Sequence, residues 1–224
     1  MRFAIRAGGL AVIAALTAAV LTFGPDTPPQ ATAAQPTDLP ADLALVPADA
    51  AGFVHVRLAD VWKNEVMDGF RKTWEKAGPK ALAALDTQFV PAPSTITRGT
   101  AFVLLDNKKK PAAVGILAFS AAFDPMTVVK TYLPNHTTEK VAGKTVYRSP
   151  DAEFEFYFPD DKHIVIGVDG SLNAYLSKPV AKTGPLAAAI KLAGSGTKVM
   201  VASADISGLP IDSTAPESRE KPGS

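Results

Sequence analysis

The 224-residue chain predicts an α+β fold, a mainly antiparallel sheet with helices packed on one face. Three observations predict it. Apolar residues alternate with polar ones in runs such as FVHVRL and EFEFYF, the period of a half-buried strand. Most such runs follow one another across short polar turns, which only antiparallel neighbours allow. Between them lie segments with apolar residues every three or four positions, opening on Asp, Ser or Pro, as amphipathic helices do.

The first strand is expected from Phe53 to Leu58. Alternation puts Val54, Val56 and Leu58 on one face and Phe53, His55 and Arg57 on the other, so His55 is expected as a half-exposed sheet-face residue. Asp60 should cap a helix whose apolar stripe is Trp62, Val66, Phe70, Trp74 and Ala77. Gly78-Pro79 ends it, and Pro79 opens a second helix through Leu85, because its missing N–H would be unpaired at that position anyway.

Gly99 to Ser120 reads as two strands around the turn DNKKKP, apolar on both faces and therefore central in the sheet. Asp124-Pro125 starts a helix to about Leu133, which Pro134 stops. A hairpin turning at Ala142-Gly143 follows. In the next one, Phe154, Phe156 and Phe158 share a face, Pro159 to Lys162 turns, and Ile164, Ile166 and Val168 return. Short helices at about Ser171–Leu176 and Pro185–Leu192 precede a last strand, TKVMVASADI. The order β-α-α-β-β-α-β-β-β-β-α-α-β opens with the split βαββαβ arrangement of ferredoxin-like domains.

Domain limits follow from composition. Arg2 and Arg6 stand before 18 uncharged residues, Ala7 to Gly24, and Ala31-Thr32-Ala33 ends on the small residues of an export-signal cleavage site. Residues 1–33 are thus expected to be a signal peptide, or an N-terminal anchor if uncleaved, since 18 residues just reach the roughly 17 needed to span a bilayer. Residues 34–40 read as a disordered linker, 41–206 as one α+β domain, and 207–224 as a polar, Pro-bearing disordered tail. The expected location is secreted: periplasmic or extracellular, or membrane-anchored if the signal is retained.

With no cysteine, a domain there has no disulfide and depends on its core. Removing residues 1–33 takes away Arg2, Arg6 and Asp26 and leaves acidic and basic side chains equal in number, which excludes electrostatic steering to nucleic acid. Lys108-Lys109-Lys110 is expected as a solvated hairpin tip. Membrane contact is expected only through an uncleaved N-terminal segment.

The stretch DLALVPADAAGFVHVRLADVW, with GKTVY and YFPDD further on, resembles a family of exported bacterial proteins of unknown function, over roughly Leu39 to Pro210. The resemblance carries no known chemistry. Members of that family run on past this point, so it implies a truncated or divergent copy.

Candidate chemistry is sparse. LAGSGTK has Ala193 where a nucleophile elbow needs Gly, and its helix-loop-strand order is the reverse of an elbow or a phosphate loop, so Gly194 is read as a helix C-cap. Glu153 and Glu155 point to the same side of one strand, the spacing a glycosidase pair would need, but an outer sheet face requires the same alternation. Asp160, Asp161 and His163 crowd one turn without converging as metal ligands should. His136 lies in a loop with no partner nearby in sequence. No catalytic, cofactor or metal residue is assigned, and His55, Glu153 and Glu155 stand as weak candidates. The expected function is a non-catalytic binding or scaffolding domain of the cell envelope with a protein partner there. Its rivals are an exported hydrolase with a site assembled from sequence-distant residues and a membrane-anchored accessory subunit.

Overall fold

The computed structural model describes residues 39–105, 111–150, 153–205 and 207. The expected signal, the linker up to residue 38, the Lys108–Lys110 tip and the tail from 208 onward lie outside them.

Eight strands form one antiparallel sheet: β1 (Gly52–Val56), β2 (Ile96–Leu105), β3 (Pro111–Phe119), β4 (Thr137–Val141), β5 (Lys144–Arg148), β6 (Phe154–Asp160), β7 (His163–Val168) and β8 (Met200–Ala204), in the order β4-β5-β6-β7-β3-β2-β1-β8. The helices are α1 (Leu58–Lys63), α2 (Asp68–Ala77), α3 (Pro79–Gln88), α4 (Pro125–Tyr132), α5 (Ser171–Leu176) and α6 (Ala187–Gly194). Every predicted strand is present. β3 and β7 are the middle pair, with β2 beside them.

Local chemistry explains the boundaries. Asp124 caps α4 by accepting from the N–H groups of Met126 and Thr127, and Pro125 takes the first turn, where no N–H is missed. The β4–β5 turn needs two left-handed residues and has them in Ala142 (φ 48) and Gly143 (φ 81). Pro79 begins α3 behind Gly78 at φ 83. The single helix expected from Asp60 is instead two, α1 and α2, separated by a 3-10 turn at Glu65–Met67. Asp60 lies in the first turn of α1 rather than before it, where it pairs with Arg57 at 2.5 Å. Trp62 of the expected stripe is exposed, and the side chains of Val66, Phe70, Trp74 and Ala77 lie outside the described ones. Gly196 (φ 71) supplies the left-handed residue after α6, while Gly194 is still helical. Gly194 is there for space, since a Cβ would come within 2.7 Å of Leu39.

Two expectations about the sheet are corrected. A split βαββαβ unit keeps a third strand between the two that a helix joins, whereas β1 and β2 are adjacent and antiparallel. Helices also cover both faces. On one, Phe53, Phe102, Val114, Ile116 and Val165 pack against Leu43 and against Leu172, Leu176 and Ile190 of α5 and α6. On the other, Phe119, Phe156 and Ile164 pack against Val128 and Val129 of α4. Among the described residues no helix is long and apolar enough to cross a membrane.

Candidate functional site

β1 is buried at all five positions, because α5, α6 and the 3-10 turn Leu43–Leu45 cover the face that alternation marks as polar. His55 is therefore 1% exposed, not half-exposed. Cross-strand register sets Thr100 opposite it, and His55 Nδ1 bonds the Thr100 hydroxyl at 2.8 Å. Asp42, just before the Leu43–Leu45 turn, enters from the segment above: Arg98 Nε donates to its Oδ1 at 2.9 Å, and its Oδ2 lies 3.8 Å from His55 Nδ1 with no hydrogen-bond partner. Asp42 is as buried as His55. Burial holds the His55 imidazole below its ordinary pKa, opposed by the Asp42 carboxylate and reinforced by Arg98 and Arg57.

A second buried cluster forms at Glu155, which is 2% exposed where a solvated face was expected. Its Oε1 accepts the Leu172 N–H at 2.6 Å, and its Oε2 accepts Arg148 Nε at 2.5 Å. Arg148 also donates to Glu139 and to Asn173 Oδ1. Gly167, opposite Glu155 on β7, makes room: a Cβ there would fall 2.6 Å from both Leu172 and Ser171. Glycine thus lets α5 sit directly on the sheet, with a carboxylate at its first turn. Ser171 stitches the same corner, its hydroxyl accepting from Val168 N–H and donating to the Ala113 carbonyl.

These residues do not assemble a reaction centre. His55 and Glu155 share a sheet face but stand four strands apart, roughly 19 Å at the usual strand spacing. Glu153 is exposed just before β6, so the carboxylates two residues apart differ in burial and do not form a pair. His163 Nδ1 bonds Asp160 across the β6–β7 turn at 2.8 Å, and Asp161 contributes only its carbonyl, to Phe123 N–H. Among the described residues no group of three His, Asp or Glu side chains could hold a metal ion. His136 bonds the Leu133 carbonyl and stacks edge-on against Tyr147.

An open concavity lies elsewhere among the described residues. A cleft of about 350 Å³ lies where the start of β1 and the end of β2 meet the C-terminal end of α5. Leu104, Leu105 and Tyr175 provide apolar lining, and Asp49, Lys178 and Asp205 its charges. Burial pushes the Tyr175 hydroxyl well up, and it donates to the Leu45 carbonyl at 2.8 Å. Pro47, Asp49, Ala50 and Ala51 in its lining belong to the segment that carries Asp42.

Sequence reasoning missed Asp42, Arg98 and Arg148. Arg98 and Thr100, two apart in TRGTAF, signal a polar patch on one strand face, but nothing local marks Asp42 as its partner. No family model matches the chain, and no curated protein matches it in sequence. Among solved structures it is similar to crystal form I of TP0453, at 14% identity and a TM-score of 0.37, over 71% of this chain and 60% of that one, so it spans less than two thirds of that protein.

Proposed function

We propose that this chain is an exported cell-envelope domain that acts by binding or scaffolding rather than by catalysis, and that the mature protein begins near Ala34. The observation that carries the binding reading is the separation between chemistry and access. The buried ionisable side chains His55, Asp42 and Glu155 are occupied with holding elements together, while the charges that meet solvent in the cleft are Asp49, Lys178 and Asp205. A concave surface open to a partner is present in the cleft between β1, β2 and α5, whose volume lies within the roughly 300 to 1,000 Å³ of ligand pockets and whose lining mixes apolar and charged groups. Export is supported by Arg2 and Arg6, the uncharged run from Ala7 to Gly24 and the small residues Ala31-Thr32-Ala33 beyond it.

Photo-crosslinking side chains placed at Ser177 and Lys178, in the cleft, and at Thr138, on exposed β4, test the reading in envelope preparations of producing cells. Discrete adducts from the cleft positions and none from Thr138 are expected. Equal labelling at all three, or none, overturns the binding reading. The intact mass of the exported protein tests the N-terminus: a mass that retains Met1 to Phe23, recovered with membranes, overturns cleavage.

A further inference from the structure

We propose that the buried Asp42–His55–Arg98 joint is an acid-sensitive latch: a proton on His55 loosens the segment 39–51 from the sheet and with it the wall of the cleft. The inference rests on the binding reading of that cleft only for its consequence, since the latch can be observed without any ligand.

Three features of the geometry carry it. First, the joint is complete only while the imidazole is neutral. The Arg98–Asp42 pair balances its own charge, the Thr100 hydroxyl meets His55, and Asp42 Oδ2, which has no hydrogen-bond partner among the described residues, lies 3.8 Å from Nδ1, too far for a hydrogen bond. A proton adds an unbalanced charge to a place 1% exposed. The groups facing His55 do not offset it in full. The segment above offers Asp42, which offsets the charge only in part because its Oδ1 is held by Arg98 and its Oδ2 is 3.8 Å away; β2 offers Thr100 and Arg98; Arg57, just past β1 and paired with Asp60, is a second cation; β8 sets apolar Val201 opposite.

Second, the two sides of the joint differ in strength. His55 is in a strand paired along all five residues to β2 and again to β8. Segment 39–51 has no strand ladder: Leu43, Val46, Ala48 and Ala50 seat it in the core, and single bonds hold its backbone, from Tyr175 to Leu45, from Ala48 N–H to the Ala181 carbonyl, from Leu186 N–H to the Ala48 carbonyl and, where it enters the sheet, from Ala51 N–H to the Val103 carbonyl and from Asp205 N–H to the Ala51 carbonyl. The segment is the part that yields, as sparsely bonded elements do in local opening. Third, Pro47, Asp49, Ala50 and Ala51 of that segment line the cleft, so its movement changes the binding surface directly.

The sign follows from linkage. With the folded-state value of His55 below the ordinary 6.5, the opened state takes up the proton first. The latch is at full strength above 6.5 and weakens as the pH falls below it.

Amide hydrogen exchange of the full chain, expressed as protection factors at pH 7.5 and pH 5, reads this out. A severalfold loss of protection at pH 5 is expected for amides of Leu43 to Ala51, with β3 and β7 unchanged, and His55→Gln, which keeps a partner for Thr100 but cannot titrate, should abolish the difference. Should that variant fail to fold, the imidazole C–H shifts of wild-type His55 are followed by NMR, and their midpoint must coincide with the loss of protection. Unchanged or increased protection at pH 5, an acid response retained in His55→Gln, or a midpoint that follows His136 or His163 instead overturns the latch. Failure of crosslinking at the cleft would remove the binding reading and leave this result untouched.

Discussion

Glu155 uses both carboxylate oxygens, one on the Leu172 N–H and one on Arg148, in a place 2% exposed. Truncating it strands a buried helix N–H and leaves the half-buried Arg148 guanidinium with Glu139 and Asn173, so Glu155→Ala should cost about 1 to 3 kcal/mol, the range for an unsatisfied buried donor. Phe156→Ala should cost more, about 3 to 5 kcal/mol, by leaving a cavity beside Tyr132 and Ile164. Denaturant melts of the two variants check this, and a loss below about 0.5 kcal/mol for Glu155→Ala would mean the residue is solvated. Alternation marks Phe156 as core but places Glu155 outside. The error has a local cause, because the periodicity of EFEFYF records that the two faces differ, not that one is wet.

Turns and caps belong to the next scale. Ala142 stands at φ 48, where an L-residue with a Cβ is strained and Asn is tolerated, and Gly143 follows at φ 81. Ala142→Asn should therefore stabilise the β4–β5 hairpin by about 0.5 to 1 kcal/mol. Gly143→Ala should destabilise it, and thermal melts of the two give opposite signs if the turn is as described. At α4 the Thr127 hydroxyl, together with the Met126 and Thr127 N–H groups, holds the Asp124 carboxyl below its ordinary value. A depressed carboxyl stabilises above the unfolded value of 3.8 and stops doing so as the pH falls through the folded one. The melting temperature of Asp124→Ala should thus lie below wild type at neutral pH and converge with it in acid. Both features were legible in the sequence, since a cap and a two-residue turn involve only neighbours along the chain. The break between α1 and α2 was not, because the apolar period runs through Trp62 and Val66 without interruption.

At the scale of the molecule, the sheet is thick in the middle and thin at its edges. β3 and β7 lie between the two apolar clusters, while β4 is exposed at four of its five residues. Native-state hydrogen exchange should accordingly find the slowest amides in β3 and β7, near the limit of global unfolding, and the fastest strand amides in β4. Faster exchange in β7 than in β4 would contradict this layering. The same layering accounts for the two misplaced site residues, His55 and Glu155, which both lie under α5, α6 or the segment 39–51 on the covered face.

Short stretches of the chain already carry the number and order of the described strands, the places where the chain turns and the α+β class, and its composition rules out disulfides. Each of these follows from backbone preferences and side-chain period over a few residues, or from composition. Folding brings β1 beside β2 and β8, covers both faces of the sheet, and carries Asp42 to His55 and Arg148 to Glu155. Those outcomes depend on which distant segments share a surface. A polar residue in a strand has the same local pattern whether it meets water or a buried partner, and the partner supplies the difference.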